Sequence, residues 1–260
     1  MVATVFRNGL MWRLDLNEGI DFAIYLTGKF ESASIRAISS FVSPGDIVLD
    51  IGANVGAHTL PMAKIVGSRG RVIAFEPTKY AYSKLLDNLK LNSVCAQRVS
   101  AEQIMLVGQD DVALEPALYS SWPLDKSLHQ HDKHCGKLES TEGARAVTLD
   151  SYIVQNKIER VTLVKIDVDG FEFDVVSGGI RFFTQQQPII IMELAPYTLD
   201  ERGASLEKLL DVLFDMGYTL YNQSTCQPLP RSPSQLRAYV PDGGSINVVG
   251  RVTNNKSWRL

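Results

Sequence analysis

Four acidic residues stand where short apolar runs end: Asp50 in "VLDIG", Glu76 in "VIAFEP", Asp167 in "LVKIDVDG" and Glu193 in "IIIMEL". A carboxylate at such a place can accept hydrogen bonds from ligand hydroxyls or ammonium groups, or take a proton from a reacting hydroxyl. In "VKIDVDG", Lys165, Asp167 and Asp169 alternate with apolar residues, which predicts that all three project from one side of a strand. Glu193 ends another such run. Lys165 and Glu193 have a structural alternative, a buried ion pair that merely fixes two strands. Glu172, just inside the helix that follows, reads as a first-turn acid serving the helix dipole.

The stretch "VLDIGANVGAHTL" (residues 48–60) places Gly52, Asn54 and Gly56 between a strand and a helix. A dinucleotide-binding loop needs its second glycine so that backbone can approach a pyrophosphate. Asn54 occupies that place, and its side chain would crowd a diphosphate. A ligand without phosphate suits the loop better. S-adenosylmethionine is such a ligand: its amino and carboxylate groups can lie against glycine backbone, and its ribose offers two hydroxyls. Glu76, ending the next strand, can accept from both hydroxyls, while Asp50 would face the amino group. The helix beginning near Ala57 would offer N–H groups to the carboxylate. An NAD(P)-binding oxidoreductase and a non-catalytic cofactor-binding module stand as alternatives.

These residues require an alternating scaffold. Ile47–Ile51, "RVIAFEP", "RVTLVKIDVDG" and "PIIIMEL" read as strands, and "AEQIMLVG" as a weaker one. "AHTLPMAKIVG", "YAYSKLLDNLKLN", "FEFDVVSGGIRFF" and "SLEKLLDVLFDMGY" carry helical spacing, with Pro61 tolerated in a first turn and Gly217 as a stop. "YTLY" and "INVVGRV" end the chain as antiparallel neighbours. The expectation is an α/β fold with a doubly wound, mostly parallel sheet, which binds ligands beyond the carboxyl ends of its strands. Residues 1–43 form an N-terminal extension with short strands and a helix near "SASIRAISSFV"; residues 44–260 form the main domain. Within it, residues 109–146 are a polar insertion, expected to act as a mobile lid from about Leu118 to Lys137.

The chain has 260 residues, enough for one sizeable domain, with a net charge of −3 that supplies no argument for a nucleic-acid partner. No apolar run is long enough to span a bilayer or to serve as a signal peptide. Three scattered cysteines fit a reducing compartment, so a cytoplasmic location is expected.

"VLDIGANVGAHTL", "GRVIAFEP", "LVKIDVDGFEFDVVSGG" and "IIIMELAP" together resemble the FkbM-type methyltransferases, a branch of the class I S-adenosylmethionine-dependent enzymes. The resemblance spans roughly residues 40–250. It implies a seven-stranded Rossmann-like sheet with one reversed strand, S-adenosyl-L-methionine as cofactor, and O-methylation of a natural-product or sugar hydroxyl. On this chain it implies a cofactor site at Asp50, Gly52, Asn54, Gly56, Glu76 and Asp167. Asp169 departs conservatively from the more usual Glu. Lys165, Asp167 and Glu193 then become the candidate catalytic set, resembling the lysine–acid arrangements of some hydroxyl methyltransferases.

For the acceptor, "YSSWPLD" mixes aromatic faces with hydroxyls, as a sugar ring would require, so Tyr119 and Trp122 are candidate substrate residues. His134 joins them as a residue that could take the acceptor proton. His129, His131, His134 and Cys135 lie close enough to raise zinc, but no paired-cysteine motif accompanies them and no metal is expected. Tyr25, Lys29 and Glu31 of the extension could cover the cofactor from the other side.

Overall fold

The structure, a computed structural model, describes residues 1–125, 130–131, 133–241 and 243–252. The chain opens with a hairpin, β1 (Val2–Arg7) and β2 (Leu10–Asp15). Its two-residue turn is Asn8-Gly9, both with positive φ, as the twist of tight hairpins demands. Helices α1 (Gly19–Thr27) and α2 (Ser32–Phe41) complete the extension; α1 was not foreseen from sequence.

Strand and helix then alternate: β3 (Ile47–Ile51), α3 (Thr59–Ile65), β4 (Arg71–Phe75), α4 (Lys79–Lys90), the single turn α5 (Ser93–Ala96) and β5 (Val99–Glu102). The expected weak strand "AEQIMLVG" is in fact two, because Gln103 ends β5 and β6 (Ile104–Leu106) leaves the main sheet. The insertion carries a hairpin of β7 (Ala117–Ser121) and β8 (Lys137–Ser140), then β9 (Arg145–Val147), which pairs with β6. After α6 (Leu149–Gln155) and β10 (Leu163–Ile166), the expected single helix through "FEFDVVSGGIRFF" is broken into α7 (Glu172–Ser177) and α8 (Ile180–Gln186). The break has a packing cause: a Cβ on Gly178 would meet the Val107 carbonyl at 2.0 Å. The chain continues through β11 (Ile189–Leu194), α9 (Pro196–Glu201), α10 (Leu206–Asp215), β12 (Tyr218–Asn222), α11 (Pro233–Tyr239) and β13 (Ile246–Val252).

Seven strands form the main sheet in the order β12-β13-β11-β10-β3-β4-β5, with β13 antiparallel to both neighbours and the other pairings parallel. This is the class I, Rossmann-like arrangement, doubly wound with one reversed strand. The winding direction changes between β3 and β10, so the switch point lies where Asp50 and Asp167 end their strands. Strand alternation sorts the core. Leu49, Ile51, Ile73, Phe75, Val164 and Ile166 pack toward α7, α8 and α10 on one face. Val48, Val72, Ala74, Leu163 and Ile191 pack toward α2, α3 and Trp12 on the other. Asp50 and Lys165 are register partners and project into this second face, beneath the extension. Among the described residues, no helix is long and apolar enough to cross a membrane.

Candidate functional site

The turn after β3 is built by conformations that few residues tolerate. Gly52 has φ +79°, and a Cβ there would fall 1.8 Å from the Asp167 carbonyl oxygen, so only glycine lets the β3 and β10 ends approach. The N–H groups of Gly52 and Ala53 both donate to the Phe75 carbonyl. Asn54 also has positive φ (47°), which Asn accommodates better than most side chains. Its Oδ1 accepts from its neighbour Val55 N, and its Nδ2 donates to the Ser120 carbonyl at 3.0 Å. The first helical residue of α3 is Thr59, two residues later than expected.

Glu76 is 4% exposed. Its Oε1 accepts from Thr78 N, Thr78 Oγ1 and Ser120 Oγ, whereas Oε2, among the described residues, accepts from Asn54 N alone, at 3.0 Å. Thr78 also caps α4 by accepting from Ala81 N. Burial pushes the Glu76 carboxyl up despite these four donors. Oε2 therefore keeps acceptor capacity toward the cavity.

At the switch point, Lys165 Nζ lies 3.1 Å from Asp167 Oδ2 and 3.8 Å from Asp50 Oδ1, and donates to the Gly52 carbonyl. Burial opposes its charge, but Asp167, Asp50 and Glu31 more than offset that and raise its pKa. The suggested Lys165–Glu193 ion pair does not form. Glu193 instead accepts from Ser245 and hydrogen-bonds to Asp167. Burial, then the Asp167 charge, pushes Glu193 up to about 8, so it holds a proton near neutrality and can donate to Asp167. Burial raises Asp167 as well, but Lys165 outweighs it and keeps that carboxyl below its ordinary range. Asp169 does not continue the strand alternation, because β10 ends at Ile166; a left-handed turn (φ 49°) places it. Burial and the neighbouring Asp167, Glu193 and Glu172 raise Asp169 well above its usual range.

Two buried atoms at this end lack hydrogen-bond partners: Asp50 Oδ1 and His58 Nε2. His58 is 4% exposed, and burial lowers its pKa to about 3, leaving a neutral ring 3.5 Å from Glu31. Glu31 is the one residue of Tyr25, Lys29 and Glu31 brought to the site; its charge is felt by Lys165 and Glu193. Tyr25 sits against Arg7, and Lys29 lines a separate crevice. Glu172 is buried rather than solvated, and accepts from Val168 N and Gly170 N, so it ties the 167–170 turn together. Its burial raises it to about 7.

One cavity runs from Glu76 to Asp167; together with its open mouth it encloses about 730 Å³. Its lining includes Gly52, Asn54, Glu76, Asp167, Tyr119 and Trp122, whereas Asp50, Gly56, Lys165 and Glu193, expected at the site, do not line it. Apolar residues Ile104, Met105, Leu118 and Phe171 wall the region beyond Glu76. The strand Ala117–Ser121 is a wall of this cavity, fixed by Asn54 and by Glu18. Glu18 accepts from Ser121 Oγ and from Trp122 N at 2.9 Å. These bonds tie down the first part of the expected mobile lid; residues 126–129 and 132, with His129, lie outside the described residues.

His134 is not on the cavity. It stacks on His131 at 3.9 Å, meets Tyr119 edge-on, and accepts from Gly136 N at its Nδ1. Burial and His131 lower it to about 4, and its acceptor nitrogen is occupied, which removes it as a proton acceptor for a hydroxyl in the cavity. Among the described residues, no three His, Cys, Asp or Glu side chains are grouped to hold a metal. Thr78, Glu18, His58 and Arg202 were missed from sequence, and Ser120, expected as a hydroxyl toward the acceptor, instead bonds to Glu76. Only Thr78, an N-cap residue two positions after Glu76, carried a local signal.

Comparison with known proteins adds a family match: residues 50–220 fit the sequence model of the Methyltransferase FkbM domain. The chain is 27% identical over 146 residues to "Methyltransferase 1" of Beauveria bassiana, covering 50% of this chain and 57% of that protein. It is 23% identical over 153 residues to the hexuronic acid methyltransferase AglP of Haloferax volcanii, covering 57% and 56%. Over 193 residues it is 26% identical to the 2-O-methyltransferase NoeI of Sinorhizobium fredii, covering 68% and 75%. The chain thus spans little more than half the length of the first two relatives.

Proposed function

The chain belongs to the FkbM methyltransferase family, and from that premise we propose that it is an S-adenosylmethionine-dependent O-methyltransferase acting on a saccharide or related hydroxyl acceptor. One observation carries the cofactor reading: Glu76 and Asp167 line the same cavity, together with Gly52 and Asn54 of the turn after β3. Glu76 Oε2 would accept from the ribose hydroxyls. The apolar wall of Ile104, Met105, Leu118 and Phe171 would take the adenine ring. Around Lys165 stand Glu31, Asp50, Asp167, Asp169, Glu172 and Glu193, an excess of carboxyls that favours a cationic ligand group. Asp50, fully buried with its Oδ1 3.8 Å from Lys165 Nζ, would act on that group only through the lysine.

When bound, the cofactor supplies an electrophilic methyl group on sulfur, and the sulfur keeps the bonding electron pair. Displacement of this kind is in line, so alignment and exclusion of water supply most of the rate. Asp167, kept ionised by Lys165, orients the acceptor hydroxyl and takes its proton as the oxygen–carbon bond forms. Its low pKa makes it a weak base, so its larger effect is to offset charge developing at the nucleophile. Glu193 holds Asp167 in place through their hydrogen bond. Tyr119 and Trp122 would cover the apolar face of a sugar ring, and residues 1–43 would cap the cofactor through Ile20. The likeness to AglP, a hexuronic acid methyltransferase, supports a saccharide acceptor, and the likeness to NoeI, a 2-O-methyltransferase, supports transfer to oxygen.

The test is transfer of labelled methyl from S-adenosylmethionine to a panel of mono- and oligosaccharides. Labelled, base-stable methyl ether is expected. Transfer only to a nitrogen or carbon acceptor would overturn O-methylation, and its absence from every acceptor class would overturn the enzymatic reading.

A further inference from the structure

The cofactor cavity opens onto a second cleft, and the two share Tyr119, Asp169 and Arg202 as lining residues. An acceptor reaching Asp167 from this cleft must pass those three side chains. The cleft's other polar walls are His131, His134, Thr198, Glu201 and Glu115.

Among the described residues, the arginine of this lining stands without an ion-pair partner. Glu201 lies 3.1 Å from His131 Nε2 and 3.6 Å from Lys133 Nζ. Glu115 is exposed at the rim. Asp169 belongs to the carboxyl group around Lys165, where its neighbours disfavour its ionised form. Arg202 remains. Among the described residues no carboxylate lies within ion-pairing distance of its guanidinium, which stacks 4.5 Å from the Phe171 ring centroid. Its stem crosses Gly170, where a Cβ would come 2.9 Å from Arg202 Cγ and 2.6 Å from the Thr198 carbonyl. Gly170 has φ +102°, so glycine is required there both for the turn and for the arginine to lie across it. A guanidinium held over an aromatic ring at a cavity junction, with no ion-pair partner among the described residues, is a planar fork for a carboxylate.

Resting on the methyltransferase reading above, we propose that the acceptor is an acidic saccharide whose carboxylate is bound by Arg202 while the hydroxyl to be methylated faces Asp167. Arg202 is then a specificity residue. It selects the acceptor by charge and takes no part in the displacement.

The test uses calorimetry on the full chain saturated with S-adenosylhomocysteine. Methyl β-glucuronide, methyl β-glucoside and the glucoside 6-phosphate are titrated into wild type, Arg202→Gln and Arg202→Lys. The wild type is expected to bind the glucuronide at least tenfold more tightly than the glucoside. That preference should vanish in Arg202→Gln and survive in part in Arg202→Lys, with both variants melting like wild type. Equal affinities in wild type, a preference that persists in Arg202→Gln, or no binding of the glucuronide would overturn the proposal. Preference for the phosphate ester over the glucuronide would overturn the carboxylate assignment. Failure of S-adenosylhomocysteine to bind, seen before any sugar is added, would instead strike the cofactor reading on which the proposal rests.

Discussion

Asn54 Nδ2 donates to the backbone carbonyl of Ser120 at 3.0 Å, so the first turn of the sheet is bonded to a hairpin strand 66 residues further along the chain. This explains why asparagine stands where a dinucleotide loop has glycine. Backbone at φ 47° would be easier for glycine, but glycine could not fasten the wall of the cavity. Asn54 N also donates to Glu76, so one residue links the turn, the ribose candidate and the hairpin.

Replacing Asn54 by glycine keeps the backbone conformation and deletes the link. A lost hydrogen bond of this kind is worth about 1 kcal/mol, so S-adenosylhomocysteine affinity should fall roughly fivefold. Proteolytic cleavage near residues 118–122 should quicken. Unchanged affinity and cleavage would make Asn54 a turn residue only.

Asp167→Asn preserves shape and removes the charge beside Lys165. Methyl transfer should drop by more than tenfold, about 1.4 kcal/mol of barrier, in a protein that still melts cooperatively. A wild-type rate would return Asp167 to a structural role.

Stability should depend on pH through Glu193. Burial and Asp167 raise its carboxyl from 4.5 to about 8, so the folded state retains a proton that the unfolded chain releases. The resulting stabilisation is complete below the unfolded value and is lost as pH rises through the folded one. Glu172, raised to about 7 by burial, acts in the same direction. The wild-type melting temperature should therefore decline between about pH 5 and pH 8.5, as linkage requires. Glu193→Gln, which mimics the protonated acid, should flatten that decline; an unaltered profile would show that Glu193 does not carry it.

Much of this architecture was legible in local pattern. The strand ends at Asp50, Glu76, Asp167 and Glu193, and the reversal of β13, follow from periodicity and from family resemblance. Contacts between distant segments were not legible. Nothing near Ser120 or Glu18 signals that they fasten a cavity wall, since each partner lies far away in sequence. The Lys165 pairing with Asp167 and Asp50, rather than Glu193, depends on strand register, which sets Lys165 opposite Asp50. The split at Gly178 depends on the Val107 carbonyl, which is remote from it in the chain. Glu172 read as a first-turn acid serving the helix dipole, because helical position alone does not reveal that two turn N–H groups point at it.

Calorimetry with S-adenosylhomocysteine reads out whether the cofactor lies between Glu76 and Asp167. Wild type should bind it and ignore NAD. Glu76→Gln, which retains the shape, and Glu76→Ala should each weaken binding by at least tenfold, about 1.4 kcal/mol, while the chain stays folded. Undiminished binding in both folded variants, or binding of NAD in place of S-adenosylhomocysteine, would remove the cofactor from that position.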